Sequence, residues 1–169
     1  MFKMMIGTAL VASSMAVLAD GDFEFEHDYV EETRRIVVDL SEQRFYLYRN
    51  EEVVYSGRVS TGQRDFPTPA FESVVGVKKA DKVSSIYYKN GTKVPPELRW
   101  TPQALKNGAP MTWAVQLNGN IFSHIGKLPA AEKVRPNYGY SHGCVRMNPK
   151  DAKYVFYFLQ PGDRVTVQQ

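Results

Sequence analysis

Short β-rich runs closed by turn-forming residues recur through most of this chain and restrict it to sheet architectures. Ile36-Val37-Val38-Asp39-Leu40 and Arg44-Phe45-Tyr46-Leu47-Tyr48 are separated by the polar Ser41-Glu42-Gln43. Val53-Val54-Tyr55 and Gly57-Arg58-Val59-Ser60 follow Asn50-Glu51-Glu52. Branched and aromatic side chains suit a pleated, half-buried surface, so this spacing predicts an antiparallel meander. Residues 73–79 read as a further strand. Trp113-Ala114-Val115-Gln116-Leu117, then Asn118-Gly119, then Asn120-Ile121-Phe122-Ser123-His124-Ile125 reads as a hairpin, with Asn-Gly favouring a type I′ turn. Asn148-Pro149-Lys150-Asp151 reads as a helix start: an Asn cap, Pro at the first helical position, an acid in the first turn. That helix is predicted to end near Leu159, before Gln160-Pro161-Gly162-Asp163, with Arg164-Val165-Thr166-Val167 as a closing strand. Residues 81–110 hold Asn90-Gly91, Pro95-Pro96 and Asn107-Gly108 and read as a long, turn-rich segment of the kind that serves as a lid. The expectation is a mainly β domain with one or two short helices.

The start of the chain differs. Lys3 precedes a short apolar stretch over 4–18, and Val17-Leu18-Ala19 ends it as a secretory cleavage site would, so residues 1–19 read as a signal peptide. The competing reading, a membrane anchor, needs about 20 predominantly apolar residues, and Gly7, Thr8, Ser13 and Ser14 interrupt this run. Removing nineteen of 169 residues leaves 150, one domain by length. The net charge of +3 falls to +2 with Lys3, which gives no electrostatic case for nucleic acid. Residues 20–33 are acidic and aperiodic and read as a leader or linker, with His27 a solvated histidine inside it. The domain is expected over 34–169.

An exported protein normally uses cysteines in pairs, yet this one has a single cysteine, Cys144. It lies in Ser141-His142-Gly143-Cys144-Val145-Arg146-Met147-Asn148, with a second histidine, His124, twenty positions upstream. A free thiol is only a few per cent ionised at neutral pH, and a nearby imidazole can take its proton. Gly143 permits a tight turn and a close approach to the backbone amides around Cys144, which could hold an oxyanion. These parts suit acyl transfer through a thioester. His142 could share a face with Cys144 on an extended chain, while His124 could approach from another segment. Residue geometry alone leaves the two even.

The run Ser141-His142-Gly143-Cys144 resembles the signature of the L,D-transpeptidase catalytic-domain family, with the YkuD-like fold. Sixteen residues separate Ser141 from His124, as that family's His-spacer-Ser/Thr-His-Gly-Cys pattern requires. Val59-Ser60-Thr61-Gly62 with Pro67-Thr68-Pro69, Ser84-Ser85-Ile86-Tyr87, Gly108-Ala109-Pro110-Met111 and His124-Ile125-Gly126-Lys127-Leu128-Pro129 are similar to further family segments. The resemblance spans residues 34–167 and implies a YkuD-like β-sandwich. It implies Cys144 as nucleophile and His124 as base, oriented by a carbonyl near Ile125 or Gly126. His142 and Gly143 form the catalytic turn with its oxyanion amides, and Ser141, Arg146 and Gly126 support it. Arg146 is open to two readings, scaffold residue or partner for a substrate carboxylate. Trp100, Trp113, Tyr138 and Tyr140 are open to two as well, groove wall or structural aromatic. Thr68-Pro69-Ala70-Phe71, Met111-Thr112-Trp113 and residues 130–140 depart from the family pattern and are expected to border the substrate groove.

The implied activity is acyl transfer on peptidoglycan tetrapeptide stems, in the periplasm or cell envelope. The acceptor is a second stem or a wall-linked lipoprotein lysine, carbapenems are inhibitors, and no cofactor or metal is needed. A monomer is expected. Hydrolysis of the same thioester, as in a carboxypeptidase or endopeptidase, is the nearest alternative. A non-catalytic wall-binding module is the alternative from another class, and it has no use for the Cys144/His124 pair. A redox role lacks a resolving cysteine, and a metal site lacks a fourth ligand.

Overall fold

Alternation of apolar and polar residues builds two mixed sheets that share one core. The computed structural model describes residues 32–169; the expected signal peptide and His27 lie outside the described residues, as does most of the expected acidic leader. Strands β1 (Arg34–Asp39), β2 (Arg44–Arg49) and β3 (Glu52–Arg58) form the expected meander. On β2, Phe45 and Leu47 turn inward while Tyr46 and Tyr48 do not, the period of two that a half-buried sheet requires. β4 (Phe71–Val74) and β9 (Arg164–Gln168) complete a five-stranded sheet in the order β3-β2-β1-β9-β4. β1 and β9 run parallel.

The second sheet has the order β5-β6-β7-β8, from β5 (Lys78–Tyr88), β6 (Gly108–Asn118), β7 (Ile121–Ile125) and β8 (Val145–Met147). Ile36, Val38, Phe45 and Leu47 of the first sheet meet Val115, Leu117, Val145 and Met147 of the second in one buried cluster. Helix α2 (Pro149–Phe158) adds Ala152 and Val155, and Leu159 follows at its C-cap. Its predicted start holds: the Asn148 side chain accepts from the Asp151 N–H at 2.9 Å. No helix among the described residues is long and apolar enough to cross a membrane.

Three expectations need correction. The strand expected over 73–79 is broken at 75–77, where the chain leaves β9's sheet and enters β6's. The long segment 81–110 is mostly regular: all but the first three residues of β5, a 3-10 turn at Pro96–Leu98, α1 (Pro102–Lys106), capped by Thr101, and the start of β6. The hairpin between β6 and β7 turns one residue later than expected, with Asn118 paired to Ile121 across Gly119-Asn120. A type I′ turn needs positive φ at both central residues, and only Gly119 has it, at 49°.

Candidate active site

β7 and β8 are parallel neighbours in register, with Ser123 opposite Val145 and His124 opposite Arg146. Side chains alternate along a strand, so Cys144, two residues before Arg146, falls on the same face as His124. Cys144, His124 and Arg146 accordingly line one cavity of about 510 Å³. Ser123 and Val145 point the other way and are buried.

The imidazole of His124 is fixed by its backbone surroundings. Nδ1 lies 2.7 Å from the Ile125 carbonyl, which can only accept, so Nδ1 carries the proton and Nε2 keeps its lone pair. The residue is 8% exposed, and burial pulls its pKa from 6.5 to about 4, Arg146 and Lys82 adding to the shift against the Ile125 bond. Burial also pushes the Cys144 thiol up, outweighing the Phe122 backbone N–H, Arg146 and Lys82, which all favour the thiolate. The resting pair is therefore neutral thiol and neutral imidazole. The sulfur donates weakly to the Asn120 carbonyl at 3.8 Å, and no hydrogen bond joins it to His124 among the described residues.

His142 is used differently. Its ring stacks on Tyr87 at 4.5 Å between centroids and meets the edge of Phe66 at 5.1 Å. That makes it an aromatic wall beside the thiol. Gly143 takes φ +109°, a region an L side chain rarely enters, and this turns the chain sharply into Cys144. The Gly143 N–H donates to Ser141 Oγ at 3.0 Å, and Ser141 Oγ donates to the Cys144 carbonyl at 2.5 Å. The Gly143 amide is thus spent inside the turn, while the Cys144 N–H has no acceptor among the described residues.

The loop over 60–68 clamps this turn from outside. Ser60 and Arg146 exchange backbone hydrogen bonds of 2.9 Å, and the Ser141 N–H donates to the Thr61 carbonyl while its own carbonyl accepts from the Gln63 N–H, both at 2.9 Å. Thr68 Oγ1 accepts from the Gly62 N–H and donates to the Gly143 carbonyl, both at 2.8 Å. Arg146 lies across Gly126, where a Cβ would come within 2.6 Å of its side chain, and its Nη1 donates to the Tyr140 carbonyl at 3.1 Å. These contacts tie Arg146 into the turn, while its side chain also lines the cavity that holds His124.

Sequence reasoning singled out neither Lys82 nor Asn120 here, and Phe66 only now joins His142. Their signal was weak, because each looks like an ordinary strand or turn residue until the sheet brings it to the thiol. Trp100 is 69% exposed and lines a second cavity beside Cys144. Trp113, by contrast, packs on Phe156 and Tyr157 of α2, away from both cavities, so it does not border the groove. Tyr138 and Tyr140 line a separate cavity with Arg64 and Arg135, which removes that part of 130–140 from the groove as well.

A family model described as the L,D-transpeptidase catalytic domain matches residues 33–167. Comparison with curated proteins gives no match. Among solved structures, an L,D-transpeptidase from Mycobacterium smegmatis is 22% identical with a TM-score of 0.59, covering 82% of this chain and 59% of that one. The Enterococcus faecium L,D-transpeptidase is 23% identical with a TM-score of 0.59, covering 80% and 50%. An L,D-transpeptidase named LdtMt1, solved in complex with imipenem, is 22% identical with a TM-score of 0.60, covering 80% and 59%. At that identity the likeness is one of fold, and the chain spans only half to three fifths of these relatives' length.

Proposed function

This chain belongs to the L,D-transpeptidase catalytic-domain family, and we propose that it is an exported cysteine acyltransferase acting on peptidoglycan stem peptides in the cell envelope. The observation that carries the reading is that Cys144, at the entry to β8, and His124, on the neighbouring β7, line one cavity, with the imidazole's Nε2 meeting no donor among the described residues. A binding module has no need of that arrangement.

In the proposed cycle the Cys144 thiol swings from the Asn120 carbonyl toward His124. Nε2 takes the Sγ proton as the sulfur attacks the carbonyl carbon of the stem's third residue, taken as a diaminopimelate. The oxyanion forms beside the Cys144 N–H, the amide the turn leaves unspent. Collapse breaks the peptide bond, and the departing D-alanine amine takes the proton from Nε2. An acceptor amine, from another stem or a protein lysine, then attacks the thioester and gives its proton to Nε2; the C–S bond breaks, and the departing sulfur takes that proton from Nε2 to restore the thiol. A neutral resting pair fits this order, since the proton moves only as the bond forms.

Incubating the protein with purified tetrapeptide stems and an amine acceptor, then weighing the products, tests this. The expected product has lost D-alanine and gained the acceptor. Loss of D-alanine with gain of water alone would make the enzyme a hydrolase of the same fold, and unchanged stems would overturn the acyl-transfer reading.

A further inference from the structure

Two cavities meet at Cys144, and they are not chemically alike. One, of about 510 Å³, contains His124; the other, of about 560 Å³, does not. Cys144, His142, Tyr87 and Met111 line both. A base that protonates the departing amine and deprotonates the incoming one must face both amines. Leaving group and acceptor therefore pass through the His124 cavity in turn. The acyl portion, which stays on the sulfur, extends into the other.

That second cavity is cationic. Lys79, Lys82, Lys93 and Arg99 line it, and no Asp or Glu does. Of these four, Lys82 is the one whose charge acts on both Cys144 and His124. It pairs across β5 and β6 with Met111, which packs in the small cluster that Cys144 joins. Its Nζ lies 4.7 Å from the centre of the Phe122 ring, on the strand that carries His124. Lys82 is partly buried and has no carboxylate partner among the described residues; burial lowers its pKa, Lys79 adds to that, and only the Cys144 sulfur, when ionised, opposes it. The neighbouring acid, Asp81, is exposed. Holding a cation partly out of water without a counter-ion is costly, and the cost is recovered when an anion arrives.

We propose that Lys82 is a specificity-determining residue that binds a carboxylate on the retained, acyl-donating part of the substrate. This rests on the acyl-transfer reading above. The ligand chemistry is a peptide with a free carboxylate close to the acylated carbonyl. In a stem that is the α-carboxylate of the γ-linked glutamate or the side-chain carboxylate of the diaminopimelate. Amidation of either removes the charge and keeps the shape.

The test is binding without turnover. A tetrapeptide stem and its two singly amidated forms are titrated against Cys144→Ala and against Cys144→Ala combined with Lys82→Met or Lys82→Arg. In Cys144→Ala, amidation at one carboxylate should weaken binding about tenfold, the value of one charge-assisted hydrogen bond. With Lys82→Met the acid and amide should bind within about twofold of each other, and Lys82→Arg should restore the preference. Equal acid and amide binding in Cys144→Ala, a preference that survives Lys82→Met, or no binding of any stem would each overturn the proposal. Iodoacetamide alkylation of Cys144 in the single Lys82→Met variant separates the rival role. A fall smaller than about tenfold, the loss of one nearby charge that favours the thiolate, supports a substrate-facing lysine, and a larger fall would assign Lys82 to the thiolate instead. Turnover of stems by the unmutated protein is measured separately, so failure of acyl transfer and failure of Lys82 recognition remain distinct.

Discussion

At the residue scale the site is governed by desolvation, which keeps both partners neutral. If Cys144 and His124 formed a standing ion pair, iodoacetamide would react at a rate already on a plateau near neutral pH. The raised thiol instead predicts a rate that climbs steadily with pH through 9; a plateau below pH 7 would contradict it. The histidine makes an independent prediction. Its folded pKa, about 4, lies below the unfolded 6.5, so the unfolded state binds the extra proton first on acidification. Stability is complete above 6.5 and falls between 6.5 and 4 by about 3 kcal/mol from this group. Urea unfolding of the parent and His124→Gln at pH 7 and pH 4.5 measures it, the variant losing less on acidification. His124→Ala should slow acylation by roughly 10²–10⁴-fold, and His142→Ala by less. Cys144 and the histidines were legible because the chemistry demands those residue types in sequence. Lys82 was not, because a lysine in a strand reads as a solvated side chain until the sheet shows which face it takes.

At the scale of elements, local signals survived and partner-dependent ones did not. The Asn148 cap is chemistry within four residues, and it holds as read. The break between β4 and β5 depends on β9 and β6, strands distant in sequence, so nothing around 75–77 announced it. The family-like Thr68 was visible as a motif, but its purpose was not: one buried hydroxyl joins the Gly62 amide to the Gly143 carbonyl. Thr68→Val keeps the shape and strands both groups, which should cost about 2–4 kcal/mol of stability at roughly 1–3 kcal/mol per unsatisfied group, less what water recovers. Turnover in a folded sample should fall chiefly in kcat, because the clamp positions Cys144 more than it touches substrate. A variant with unchanged melting and unchanged kcat would show that the clamp is dispensable.

At the scale of the molecule, the closing strand does what no local feature does. β9 lies between β1 and β4 and sends Val165 and Val167 into the shared core. Deleting residues 164–169 unpairs β4, strips one edge of β1 and opens the core, against a total stability of typically 5–15 kcal/mol. The deletion variant should show no cooperative melting transition, and a sharp transition near the parent's would refute β9's place in the core. The sheets were readable as strands, but the two parallel pairings, β1 with β9 and β7 with β8, were not, and the second of these assembles the site. The central claim is that Cys144 accepts an acyl group. Intact-mass spectrometry after incubation with a carbapenem tests it most directly, since the strained lactam offers the thiol an acyl group much as a stem would. One adduct of the drug's mass in the parent and none in Cys144→Ala is the predicted result; a folded, fully reduced parent that gains no mass would contradict it.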